Sequence, residues 1–206
     1  MIKNIIKVLL ISFVTVSCLF FVTKSGNYRS NPIAVPCHDV VTAFKDEGIF
    51  VQATAYTAAD SKYYLNQNLL EKGFRPIQIS IQNNTSRPLG LGDLSVDLPL
   101  ACGNQIATQF FKDTLPRAFA LKIASLFFWP FTVPSTIDGI ITYKSQKVMR
   151  HDYAAKTIKK YEEIIPAYST INRILFVKQK DYRPSFKLVL QDKETGLLHK
   201  YHLDIS

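Results

Sequence analysis

The feature that most constrains the fold is an alternation of apolar and polar residues, which is clearest in residues 76–82. Ile77, Ile79 and Ile81 alternate there with polar side chains. Because successive side chains of a β-strand point to opposite faces, this spacing predicts a strand with one buried face. Similar alternation, or a β-branched and aromatic composition, predicts further strands at residues 49–57, 94–100, 163–167, 173–178, 185–191 and 197–205.

Turn sequences at residues 83–86 and 192–196 separate some of these segments. A short helix is predicted near residues 61–72, with Asp60 as its N-terminal cap and Gly73 as its C-terminal stop. Short strands that each bury one side favour antiparallel pairing in two layers. The predicted fold class is therefore mainly β with a helical insertion (α+β), an antiparallel β-sandwich built from residues 48–114 and 161–206.

The N-terminal segment, residues 1–26, has the features of a secretion signal. Lys3 and Lys7 precede an unbroken run of mostly apolar residues from Val8 to Val22. Residues 15–18 resemble a lipobox, which makes Cys18 a candidate for lipidation. A lipobox usually has Leu where this chain has Thr15, however, and the apolar run continues past the cysteine.

An uncleaved signal anchor is the alternative interpretation of this segment. Residues 5–23 approach the roughly 20 residues that a membrane helix needs. Their Leu, Ile, Val and Phe side chains would favour insertion by about −4 to −8 kcal/mol. A membrane anchor, a lipoprotein signal and a cleaved signal all export the body of the protein, and residues 27–47 then read as a tether.

The formal net charge of +9 indicates an anionic partner. Exported basic proteins commonly face anionic lipid headgroups or anionic cell-surface polymers. Nucleic acid is a poor partner for an exported chain, and the sequence has no nucleic-acid-binding motif. The lipid bilayer and other envelope proteins are therefore the partners that we expect, and no small-molecule substrate can be identified.

The three cysteines fit an exported protein. With Cys18 lipidated or in the membrane, Cys37 and Cys102 remain as a candidate disulfide. Closing the loop between them would stabilise the fold by about 4 kcal/mol in the chain-entropy model. The alternative is two unpaired cysteines, since a sequence does not give the geometry that a disulfide needs.

Residues 115–160 interrupt the strand pattern and predict a helical hairpin. An apolar helix over residues 115–128 is followed by a break at residues 129–134, which contains two prolines. Ser135 then opens a second helix, with Asp138 at the spacing of a capping box. This second helix is basic, and its cations include Lys144, Lys147 and Arg150.

The hairpin tip is a candidate membrane contact. Phe127, Phe128, Trp129 and Phe131 are the apolar residues at this tip, and such residues favour the membrane interface. The basic second helix would then meet anionic headgroups. A full span is disfavoured, because Lys122 and the two prolines offset the gain from the apolar residues. The alternatives are a hairpin that packs on the sandwich as ordinary core, or one that binds a protein partner.

The candidate catalytic residues do not form a recognisable site. His199 and His202 are three apart on a predicted strand, so they face opposite sides and cannot share a metal. His151 and Asp152 read as an exposed pair on a helix. Residues 37–39 are Cys, His and Asp, but neighbours in sequence do not form a catalytic triad. We expect no enzyme activity, no cofactor and no metal site.

Four stretches resemble a loose group of uncharacterised bacterial envelope proteins: residues 53–57, residues 64–65 with 76–83, residues 165–166 with 174–177, and residues 186–190 with 195–196. Members of this group have an N-terminal anchor or lipobox followed by an immunoglobulin-like β-sandwich. The resemblance implies that fold and an envelope location, and it carries no activity or functional residues.

The sequence therefore predicts a membrane-anchored bacterial envelope protein of a non-enzymatic binding or structural type. Its body would face the periplasm or the cell exterior, with a second membrane contact through residues 127–131. One alternative is a peptide- or protein-handling component of an envelope assembly or secretion machine. A second alternative is a thiol- or histidine-dependent hydrolase that uses Cys37 or His151.

Overall fold

The computed structural model of the protein describes residues 28–31, 42–46, 48–112, 115–127, 132–159 and 162–205. The predicted N-terminal membrane helix, with Cys18, and the predicted disulfide partner Cys37 lie outside the described residues. The described chain forms two compact units. We call residues 28–29 and 107–150 the helical unit, and residues 30–106 and 151–205 the sheet unit.

The sheet unit contains eight strands in two four-stranded antiparallel sheets. The strands are β1 Thr42–Asp46, β2 Ile49–Ala55, β3 Phe74–Asn83, β4 Leu89–Leu91, β5 Glu163–Ile165, β6 Ser169–Lys178, β7 Ser185–Asp192 and β8 Leu198–Asp204. The first sheet has the order β1-β2-β3-β6, and the second has the order β5-β4-β7-β8. The predicted α+β class with antiparallel strands is confirmed, although the described helices hold about as many residues as the strands.

One face of each sheet contributes to a shared apolar core. Ile77, Ile79 and Ile81 of β3 are fully buried in it, as the alternation predicts. Leu188 and Leu190 of β7 enter the same core from the second sheet. Removal of this apolar surface from water is the main favourable contribution to the folding of the sheet unit.

The described residues also contain four α-helices. They are α1 Ala58–Leu65, α2 Gly103–Lys112, α3 Leu115–Phe127 and α4 Thr132–Lys156. Helices α3 and α4, joined by residues 128–131, correspond to the predicted insertion, and we call them the two-helix insertion. Helix α4 begins at Thr132 and not at Ser135, so Asp138 is too far along the helix to act in a capping box.

Helix α1 is shorter than predicted and begins earlier, because Thr57 and not Asp60 is its N-cap. The Thr57 hydroxyl accepts the N–H of Asp60 at 3.2 Å, and the Asp60 carboxylate accepts the N–H of Thr57 at 2.9 Å. This reciprocal pair is a capping box. Beyond Leu65 the chain continues through the separate 3-10 turn Leu70–Lys72, which Gly73 ends at a φ of 77°.

The predicted strand at residues 94–100 is wrong. Asp93–Ser95 forms a 3-10 turn, and this segment pairs with strands only at two isolated bridges. Val96 bridges to Leu188 of the second sheet, while Leu100 bridges to Val177 of the first. The segment therefore passes from one sheet to the other, which buries Val96 and Leu98 without a regular ladder.

Two strands lie where none was predicted. Strand β1 falls within residues 27–47, the segment predicted as a tether, and it pairs with β2. Strand β4 is three residues long, and such a length shows no periodicity in a sequence.

Asn83 fixes the turn that follows β3. Its amide nitrogen donates to the carbonyl of Arg87 at 2.8 Å and to that of Pro166 at 3.0 Å. Its amide oxygen accepts the N–H of Thr85 at 3.0 Å. Because Asn83 is fully buried, these bonds replace water for several backbone groups at once.

We expect Asn83→Ala to lower the free energy of unfolding by about 2–4 kcal/mol, because buried carbonyls lose their donors. Chemical denaturation followed by circular dichroism measures this change. Asn84→Ala is the matched control: Asn84 is exposed, so its loss should cost at most about 0.5 kcal/mol. Equal losses in the two variants would contradict the role assigned to Asn83.

Candidate functional site

Helix α3 carries an exposed apolar face. Phe119, Ile123, Leu126 and Phe127 recur at helical spacing and so share one side of the helix. Phe119 is 67% exposed, Leu126 is 79% exposed and Phe127 is 77% exposed. Exposed apolar patches on proteins are often sites of contact with a partner or a membrane. We call these four residues the α3 stripe.

The exposed side of helix α4 becomes basic after Tyr143. Ile140 and Tyr143 are exposed, and the exposed cations Lys144 and Lys147 follow directly. Because these positions are three, four and seven residues apart, they lie on one side of the helix. The opposite side is buried, with Ser145 and Met149 among its residues.

Tyr28, which follows the predicted leader, contacts α4. The Tyr28 N–H donates to the Ser145 hydroxyl at 3.5 Å, and Tyr28 is itself buried. Arg150, predicted as a membrane contact, is exposed, and its guanidinium donates to the Thr108 hydroxyl at 3.3 Å. Tyr28 and the basic part of α4 therefore belong to the same unit.

Of the predicted tip residues, Phe127 lies at the exposed end of the α3 stripe. Phe128, Trp129 and Phe131 lie outside the described residues. The sequence identified the tip but missed Phe119 and Ile123, which extend the apolar surface along the helix. The helical spacing of these residues was the available signal, although it does not show whether such a stripe faces a core or the surroundings.

Cys102 lies in the wall of a cleft in the sheet unit. The cleft has a volume of about 670 Å³, and its lining consists of residues 100–104 together with Ala154, Thr157, Ile158, Lys159 and Glu162. The Cys102 carbonyl accepts the N–H groups of Gln105 and Ile106, so Cys102 caps α2. Its thiol is exposed and forms no disulfide with any described residue. The predicted bridge to Cys37 stays a prediction.

The predicted exposed pair at residues 151 and 152 is only half correct. His151 is exposed, but Asp152 is buried and forms a 2.8 Å ion pair with Lys156, whose side chain is also buried. The Ser30 hydroxyl donates to the same carboxylate. Lys156 also donates to the Tyr64 carbonyl at 3.5 Å. The Asp152 carboxylate is therefore neutralised and hydrogen-bonded inside the sheet unit, and its role is structural.

A buried polar contact lies on the outer side of the first sheet. The Tyr56 hydroxyl donates to the Gln78 side-chain carbonyl at 2.6 Å. Burial, with smaller effects of Tyr64 and Asp60, raises the pKa of Tyr56, so the hydroxyl stays protonated and acts as a donor. Gln78, on the side of β3 predicted to be polar, is thus buried and not solvated.

The two histidines of β8 face opposite sides, as predicted. His199 is buried, whereas His202 is exposed and its Nε2 lies 2.9 Å from the Ser185 hydroxyl. Such a Ser–His contact resembles part of a nucleophilic site, but here it lies on an exposed sheet face where β7 and β8 pair. We interpret it as a cross-strand contact.

Within the described ranges, no group of three or more His, Cys, Asp or Glu side chains could hold a metal ion. No helix in the same ranges is long and apolar enough to cross a membrane.

Comparisons with protein-family models, with curated proteins and with solved structures find no match to this chain.

We expect Lys156→Met to destabilise the protein by about 3–5 kcal/mol, because it leaves the buried Asp152 carboxylate without its cation. Lys159→Met is the matched control. Lys159 is 63% exposed and its ion pair with Glu163 is 3.4 Å long, so its loss should cost less than about 1 kcal/mol. Urea denaturation compares the two variants. A small loss in both would indicate that Asp152 is not held as the structure indicates.

Proposed function

We infer that the protein is a membrane-anchored component of a bacterial envelope, of a non-enzymatic binding or structural type. Its sheet unit is exported, and the two-helix insertion makes a second contact with the membrane through residues 127–131. The observation that carries this proposal is the α3 stripe, whose residues Leu126 and Phe127 are the most exposed and adjoin the tip.

The order of the strands supports an immunoglobulin-like sandwich. In an immunoglobulin fold, strands A, B and E pair in one sheet, while G, F and C pair in the other, with C′ added beside C in some members. Strands β2, β3 and β6 occupy the places of A, B and E, and β8, β7, β4 and β5 those of G, F, C and C′. The helices α2, α3 and α4 then form an insertion between C and C′.

The contact between Tyr28 and Ser145 supports a membrane anchor that lies close to the two-helix insertion. The apolar run of the leader ends at Val22, and a chain from there to Tyr28 extends at most about 20 Å. Since Tyr28 is bound at Ser145, a leader in the bilayer would hold the helical unit near the membrane surface. A tether this short gives the insertion a high effective concentration at the lipid.

We expect the double variant Val14→Lys with Val16→Lys to release the protein from membranes. Two lysines at the centre of the leader cost about 5–7 kcal/mol, which offsets most of the gain from its apolar residues. Membrane fractionation with an alkaline carbonate wash measures the release. Ser25→Lys with Asn27→Lys adds the same charge outside the apolar run and should leave the protein in the membrane fraction. Retention of both variants would count against the anchor.

A second candidate function is the handling of an extended peptide at a sheet edge. Strand β8 ends the second sheet, and it pairs with β7 over seven residues. No strand among the described residues pairs with its other edge, and an edge of this length can add a peptide strand through main-chain hydrogen bonds. Leu197 and Leu198, both half exposed, would contact the side chains of such a peptide.

The peptide-handling candidate predicts that a photo-crosslinker placed at Leu198 captures a polypeptide in cells. A crosslinker at Leu94, which is 95% exposed but lies outside the strands, serves as the control. Capture from both positions, or from neither, would contradict a function at the β8 edge.

A further inference from the structure

We propose that the outer edge of β8, which faces away from β7, pairs with β8 of a second copy of this chain in antiparallel register about His202. This pairing would join the two copies of the second sheet, each of four strands, into one continuous sheet across a twofold axis. The inference goes beyond the membrane contact of the proposed function and does not depend on it. It also gives this edge a different occupant from the peptide-handling candidate.

The backbone hydrogen bonds of β8 show which residues face the outer edge. The Leu197 carbonyl accepts the N–H of Asp192 at 2.9 Å, and the Ile205 N–H donates to the Pro184 carbonyl at 2.7 Å. Leu197 and Ile205 therefore direct these groups towards the side of β7. The backbone groups of successive residues in a strand point to opposite edges. The residues whose backbone groups face the outer edge are thus Leu198, Lys200, His202 and Asp204.

These four outer-edge residues also have exposed side chains. The residues between them include Tyr201 and Leu203, which are buried in the core. Two β8 strands that pair through their outer edges would therefore place exposed residues opposite exposed ones, and core residues opposite core residues. The alternation along β8 is compatible with such a pairing, and the charges of the strand select its register.

One register matches every charge of the outer edge. When His202 lies on the twofold axis, Lys200 is opposite the partner's Asp204, and Asp204 is opposite the partner's Lys200. Directly opposed side chains of an antiparallel pair have Cβ atoms about 5 Å apart, which is close enough for an ion pair. A shift of two residues in either direction breaks both ion pairs. The symmetric register is therefore the one that the charges favour.

Lys200 is also the argument for a second copy over an unrelated peptide. A lysine on an edge strand disfavours pairing with other chains, and natural sheets use this effect to protect their edges. Pairing at this edge thus requires a strand with an acidic residue opposite Lys200. A second copy always supplies that residue, because Asp204 belongs to the same strand.

The position of the His202 side chain is compatible with the pairing. Its Nε2 lies 2.9 Å from the hydroxyl of Ser185 on β7. This contact draws the imidazole over β7 and away from the outer edge. Space is therefore left at the twofold axis, where the two His202 residues of the pair would lie opposite each other.

The variant His202→Cys tests the register directly. In the proposed register, the two residues at position 202 form a hydrogen-bonded pair with Cα atoms about 5.5 Å apart, a distance that a disulfide can span. We expect the full-length variant to form a covalent dimer under mild oxidation. Peptide mass spectrometry should identify a link between the two introduced thiols.

Lys187→Cys is the matched control for this link. Lys187 is exposed and lies opposite His202 on β7. In the proposed dimer, the two residues at position 187 would be separated by three strand spacings, about 14 Å, which a disulfide does not span. Failure of the link at position 202, or equal linking in both variants, would overturn the inference.

A charge exchange tests the two ion pairs. Asp204→Lys places lysines opposite lysines at both positions, so we expect the dissociation constant of the dimer to rise at least about tenfold. Lys200→Asp combined with Asp204→Lys restores both pairs with the charges exchanged. This double variant should return to within about threefold of the unaltered protein. Analytical ultracentrifugation of the full-length proteins in detergent measures the dissociation, and circular dichroism verifies that the variants fold.

Three results of the charge exchange would overturn the inference: an unaltered protein that is monomeric, a dimer that Asp204→Lys does not weaken, or a folded double variant that does not recover. Capture of a different polypeptide at Leu198 would also overturn it, in favour of peptide handling. The membrane anchor is tested separately by membrane fractionation, which the charges of β8 should leave unchanged.

Discussion

The pairing of β3 with β6 is the interaction on which the rest of the sheet unit depends. It runs in unbroken register from Phe74 opposite Lys178 to Asn83 opposite Ser169. These two strands are separated in sequence by the second-sheet strands β4 and β5 and by three helices. Closing so long a loop has an entropic cost that grows only slowly with length. A long ladder with apolar residues on the core side can therefore support a large insertion.

Buried polar side chains lie at the end and on the outer side of this strand pair. At its end, Asn83 is buried, and its side chain bonds two carbonyls from different parts of the chain. On its outer side, Gln78 is buried against Tyr56, and Tyr153 stacks near Phe176 with a ring separation of 5.4 Å. The Asn83 amide and the Gln78 side-chain carbonyl are satisfied by these partners, as burial requires. The outer face of the first sheet thus carries a second, smaller set of buried residues besides the main core.

Much of this fold could be predicted from the sequence. The core strands bury one face each, and this requires apolar and polar residues to alternate along them. The prediction failed at residues 94–100, where the same alternation arises from a segment that passes between the two sheets. It also predicted that Gln78 and Asp152 are exposed to solvent, whereas both are buried. A polar residue at an alternating position is expected to be exposed unless a buried partner for it is known. For Asp152 that partner, Lys156, lies one helical turn away, but sequence does not show that both are buried.

The candidate site could be predicted only in part, for a related reason. Helical spacing shows that Phe119, Ile123 and Phe127 share a side, but the same spacing describes a buried helix. The solvent exposure of these side chains distinguishes a buried helix from one with an exposed apolar side. That exposure depends on which other residues pack against the helix, and the sequence does not show this. The sheet unit already fills its core from its own strands. The apolar surface of the insertion is therefore additional to that core.

An exposed apolar surface of this kind promotes aggregation in a protein that diffuses freely. Under the proposed function, the leader reduces this risk of aggregation. A short chain anchored in the bilayer would keep the apolar surface close to lipid. The position at which the chain after the leader contacts the body of the protein is important for this effect. Tyr28 is held at Ser145, where the exposed side of α4 has just become basic. A leader joined to the sheet unit alone would leave the stripe free to meet other protein molecules, whereas a leader held on α4 keeps the apolar surface and the bilayer within reach of each other.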